Sequence, residues 1–144
     1  MTIFLHIRER FPARSLEWLC SGLIFALGLA MLIFPASFDR VGLESFSQLM
    51  RPAAWAAMGV ALGGMRLSAL FINGRDPKVS IPARLVGAVL GAGYFGLFVG
   101  RFAEGSTSTS IAFGVVTYSA LMLADIYNAM RVTADRKAQR GTYA

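Results

Sequence analysis

One stretch, residues 53–72 (AAWAAMGVALGGMRLSALFI), constrains this chain more than any other: it is apolar throughout except for a single charge, Arg66. As a helix its 20 residues would rise roughly 30 Å, the depth of a bilayer's hydrocarbon core. The expected element is a transmembrane helix. An arginine inside a bilayer costs about 2.5–3.5 kcal/mol on insertion scales, so it turns toward neighbouring helices and finds a partner there. Asp125 is the expected partner, because it is the one charge in the last apolar stretch, 110–130. Two opposite charges in separate spans imply that the second and fourth spans meet.

The rest of the composition points the same way. Of 144 residues 56% are apolar and 15% charged, more apolar surface than one soluble core of this size can hide, so lipid is the expected solvent. Four windows are long enough to span: 16–34, 53–72, 82–102 and 110–130. The expected fold class is all-α: a polytopic membrane protein, a four-transmembrane-helix bundle with short loops. It forms one membrane domain over 1–144 that ends in a basic cytoplasmic tail, 131–144.

The net charge of +6 reads as topology, because the basic residues lie at span ends. With the amino terminus inside, ten of the 14 basic residues face the cytoplasm: Arg8, Arg10, Arg14, Arg75, Lys78, Arg84, Arg131, Arg136, Lys137 and Arg140. Three face out (Arg40, Arg51, Arg101), and Arg66 is within the membrane. The expected location is the bacterial inner membrane, with both termini cytoplasmic. The basic side is expected to contact anionic lipid head groups rather than nucleic acid.

Between the spans, residues 1–15 mix apolar and basic side chains in the manner of a helix lying on the membrane surface, and Ser15 and Glu17 suit the start of the first span as cap and first-turn acid. That span, too long for a signal core, is read as retained. Leu43, Phe46 and Met50 recur at helical spacing and predict an interfacial helix over 43–50. NGRDPK (73–78) reads as a tight hinge.

Glycines predict how the spans pack. Gly59 and Gly63 share a face with Arg66, Gly87 and Gly91 share one face of the third span, and Gly93, Gly96 and Gly100 share another. The last group is expected to meet a neighbour, in the same chain or in a second copy. Counted from the cytoplasmic ends, Arg66 lies six residues from Ile72 and Asp125 five from Met130, about 9 and 7.5 Å deep. Tyr118 and Asn128 share the Asp125 face and Asn73 follows Arg66 by two turns, so Arg66, Asp125, Tyr118, Asn128 and Asn73 are the expected intramembrane polar network. It reads either as an ion or proton path or as a structural pair that sets helix register; Arg84 is an alternative partner for Asp125.

Other chemistry finds little footing. Cys20 is the only cysteine and His6 the only histidine, so neither a disulfide nor a transition-metal site is expected, and Cys20 reads as a small buried apolar residue. Gly91, Gly93 and Gly96 match GxGxxG but lie inside an apolar span with no strand before them, so no dinucleotide or other cofactor is expected. No catalytic residues can be assembled.

The half of the chain that carries RLSALFINGR, the STS loop and YSALMLADIYNAMR with its charged tail resembles small four-span membrane proteins encoded by bacteriophages and prophages of proteobacteria. The resemblance implies a phage or prophage origin and an inner-membrane location. The expected role is non-enzymatic and holin-like, a homo-oligomer assembling in the bilayer. The alternatives are a small channel or transporter using the Arg66–Asp125 pair, and an exclusion protein docking a phage or host membrane complex.

Overall fold

The computed structural model describes the backbone of residues 2–35, 44–72, 77–104 and 109–141, and the side chains of 14–35, 45–72, 80–104 and 113–134. Nearly all of this backbone is helical: α1 (Thr2–Ile33), α2 (Glu44–Leu49), α3 (Pro52–Ile72), α4 (Pro77–Glu104) and α5 (Thr109–Gly141). Pro52 and Pro77 each open a helix, where a missing N–H takes no intrahelical bond away. The third span thus begins five residues before the expected Pro82, which is accommodated inside α4. Within α1 the helical dihedrals break at Arg14 (φ −134°, ψ 20°). Arg14 therefore takes the cap position expected for Ser15, and Ser15 becomes the first residue of the renewed helix. The hinge residues 73–76, and Asn73 with them, lie outside the described residues, as do Leu43 and the loop 105–108.

Three helices are long and apolar enough to cross a membrane: Arg14–Ile33, Pro52–Ile72 and Ser80–Glu104. They coincide with the first three expected spans. The fourth, 110–130, lies within α5 and is not among them, because Asp125, Asn128 and the hydroxyls of Thr117, Tyr118 and Ser119 interrupt its apolar residues.

The four long helices form a ring. α1 packs extensively along α3, and α4 along α5; α3 with α4 and α1 with α5 close the ring. α1 also approaches α4, which makes that pair the short diagonal and leaves α3 and α5 on the long one. The second and fourth spans are therefore not packed against each other as the sequence implied. Glycine decides how near the first pair comes: a Cβ on Gly59 would stand 2.8 Å from Gly28 Cα, and one on Gly63 2.6 Å from Phe25 Cα. Backbone meets backbone there, which only glycine allows.

An aromatic cluster fills the end of the ring where α3 begins and α4 ends. Phe46 of α2, expected at the membrane interface, is instead fully buried, with ring centroids 5.4 Å from Trp55, 4.9 Å from Phe98 and 5.3 Å from Phe102. Trp55 Nε1 donates to the Phe46 carbonyl at 3.0 Å, and Ser45 Oγ donates to the Arg101 carbonyl at 3.1 Å. Tilted and edge-to-face ring contacts of this kind add to simple area burial. They hold a six-residue helix that could not persist alone.

Tyr94 lies in the same cluster at 2% exposure, its hydroxyl against Gly59 and without a hydrogen-bond partner. A buried hydroxyl left unsatisfied costs roughly 1–3 kcal/mol. Tyr94→Phe is therefore expected to raise the unfolding midpoint of the detergent-solubilised protein. A lower midpoint would show that the hydroxyl is satisfied in solution.

Candidate functional site

Toward the other end of the ring, where α3 ends and α4 begins, the interior turns polar. Arg66 Nη1 donates to Asp125 Oδ2 at 2.6 Å and Nη2 to Oδ1 at 2.5 Å, a bidentate pair whose members are 5% and 0% exposed. Asn128 Nδ2 adds a bond to Asp125 Oδ1 at 3.2 Å, and Cys20 of α1 lies beside the same carboxylate. A second bidentate pair joins Arg84 to Glu17, with Nε donating to Oε2 at 2.8 Å and Nη2 to Oε1. Each of the four long helices supplies one charge. The planar guanidinium fork matches a carboxylate edge, which is why arginine suits both positions.

The pairs run across the ring. Arg66–Asp125 joins α3 to α5 over the long diagonal, and Arg84–Glu17 joins α4 to α1 over the short one. Neighbouring helices are thus held by glycine contacts and aromatic packing, and diagonal helices by charge. Arg66 reaches across because α4 offers a trough: a Cβ on Gly87 would stand 2.9 Å from Arg66 Cγ, and one on Gly91 would overlap both the guanidinium and the Asp125 carboxylate.

Other residues marked in the sequence go elsewhere. Tyr118 is absent from the polar layer; its ring stacks on Phe102 with centroids 5.4 Å apart and tilts against Phe98 at 4.8 Å. Asp125 and Tyr118 are seven residues apart, about 10 Å along the helix, too far for one polar group to serve the other. Gly96 faces Met122, with Sδ 3.4 Å from an added Cβ, whereas Gly93 and Gly100 would meet nothing within 4 Å and open outward. The expected second glycine face of the third span thus meets no neighbour in the chain at those two positions. Gly91 is occupied by the ion pair, so it is closed to a second copy.

Glu17 and Arg84 also depart from their expected roles. Glu17 is buried in an ion pair instead of standing free at a helix start, and Arg84 serves Glu17, not Asp125. Nor does Arg84 belong with the exposed cytoplasmic cations, being 6% exposed. The available signal was two opposite charges, each one or two residues inside the start of an apolar window. Among the described residues no group of three or more His, Cys, Asp or Glu side chains is placed to hold a metal ion. No protein-family model matches the chain, and no curated protein or solved structure is found to be similar to it.

Proposed function

We propose that this chain is a non-enzymatic, four-span inner-membrane protein, with both termini cytoplasmic, that acts by assembling in the bilayer in a holin-like role. The observation that carries the membrane reading is the inverted distribution of its side chains. Glu17, Arg66, Arg84, Asp125 and Asn128 are buried, while Ile33, Phe34, Phe113, Val116 and Met130 are all more than 60% exposed. Water drives the opposite arrangement, whereas hydrocarbon tolerates apolar side chains outside and requires charges to be paired inside.

The fourth span in this reading is the apolar part of α5, whose carboxylate enters the membrane already neutralised by Arg66. Both charge pairs are closed and bidentate, so conduction through a single ring would have to break them; action through the outer surface, between copies, avoids that cost. The glycines that open outward, Gly93 and Gly100, lie on that surface. Phage or prophage origin rests on the sequence resemblance in the second half of the chain.

Topology and action are separately testable. A reporter active only in the cytoplasm, fused after Ala144, is expected to be active; a periplasmic signal would reverse the orientation. Induced expression in a bacterial host is expected to produce cross-linkable oligomers and admit a membrane-impermeant dye. Monomers that accumulate to high level while cells keep their barrier would refute the holin-like role.

A further inference from the structure

A groove of about 500 Å³ runs between α4 and α5 on the outside of the ring, lined by Leu85, Val89 and Ala92 from one helix and Ile126, Met130 and Thr133 from the other, with Ala129 at its floor. Val89, Ile126 and Met130 are 56%, 41% and 64% exposed, so the groove opens sideways toward lipid. Thr133 is its one polar lining residue, and its hydroxyl is spent on the Ala129 carbonyl at 2.8 Å. The walls thus offer a ligand apolar surface alone.

Charge enters at one end. The two helices run antiparallel in a register shown twice, by Gly91 against Asp125 and by Phe102 against Gly114. Position 78 is 13 residues before Gly91 and position 137 is 12 residues after Asp125, so Lys78 and Lys137 come level to within about one residue's rise of 1.5 Å. At 3.6 residues per turn, position 78 shares the α4 face of Leu85 (minus seven), and position 137 shares the α5 face of Met130 (plus seven) and Thr133 (plus four). Asp135 falls on the opposite side of α5 by the same count. An apolar furrow therefore ends between two helix faces that each carry a lysine at one depth.

We propose that this groove holds an acyl chain of an anionic phospholipid whose phosphate lies between Lys78 and Lys137. The proposal rests on the membrane reading above and names the partner it implies. Basic pockets between membrane helices on the cytoplasmic side recognise lipid head groups in this way, and each nearby cation contributes about 1 kcal/mol. A second copy of the chain fits less well, because a two-fold contact along this groove would bring the same cationic ends toward each other.

The test uses the full chain in a mild neutral detergent and native mass spectrometry, with phosphatidylglycerol and phosphatidylcholine of identical acyl chains as probes. Phosphatidylglycerol is expected to remain bound where phosphatidylcholine is stripped. Lys78→Gln with Lys137→Gln, both at helix ends and outside the packed core, should weaken its retention about 30-fold, the effect of two such contacts. Ala129→Phe should fill the groove and abolish the adduct. Equal retention of the two lipids, indifference to the double substitution, or displacement by inorganic phosphate alone would overturn the proposal. So would an Ala129→Phe variant that loses a dimer while keeping its lipid, which would assign the groove to a second copy. Alkaline carbonate washing of membranes, done first, separates the two levels: release of the chain refutes the membrane reading, whereas a retained chain that does not discriminate between lipids refutes only this site.

Discussion

Asp125→Leu is expected to destabilise the folded ring by about 3–5 kcal/mol, because it strands the Arg66 guanidinium at 5% exposure beside a helix that no longer offers a carboxylate. Arg66→Leu should cost a similar amount by leaving Asp125, wholly buried, with Asn128 alone. The double variant replaces a charge pair by two apolar side chains in an apolar medium, so it should lie well above the additive expectation, with a coupling energy on the order of 1–3 kcal/mol. Unfolding midpoints in mixed detergent micelles would measure the cycle. Losses that simply add would mean that the two residues do not interact, and the long diagonal of the ring would then have no tie. The Glu17–Arg84 pair should show weaker coupling. Arg84 lies seven residues before Gly91, about 10 Å nearer the end of α4, where a stranded guanidinium can snorkel to the interface.

Gly91→Leu is the second large effect. Its Cβ would occupy the space of both Arg66 Nη1 and Asp125 Oδ2, so the pair could not close across α4. The expected loss approaches that of removing one partner, about 3–5 kcal/mol, even though the substitution adds apolar surface and keeps α4 a good membrane helix. Gly93→Leu is the control. Two residues along the same helix, it points outward with nothing within 4 Å, so folding should be unchanged while any association through that face is altered. The comparison reads fold and assembly separately. A Gly91→Leu variant that unfolds at the wild-type midpoint would show that Arg66 does not cross α4 in the trough.

These outcomes turn on features that differ in how far they could be read from the chain. The helices follow from local information: long apolar runs, prolines at their starts, and charges gathered at their ends. That Arg66 and Asp125 each need a partner follows from the same information, since a charge in an apolar run is costly wherever its helix lies. Their matched depth follows from counting residues at a fixed rise. The limits of α5 as a span were legible as well, in the polar residues that interrupt it.

What only the tertiary structure decided is which faces meet. The sequence shows that Gly91 and Gly93 are small, but not that one lies beneath a guanidinium and the other opens outward; that depends on how α4 is rotated against α3 and α5. Phe46 has the spacing of an interfacial residue and becomes the plug of an aromatic cluster, because Trp55, Phe98 and Phe102 converge from two other helices. Glu17 and Arg84 looked like charges at span ends until the approach of α1 to α4 brought them together. Apolar periodicity and charge depth are properties of one helix in its solvent, so the chain alone determines them; pairing across a ring depends on the mutual rotation of several helices, and only their packing sets it.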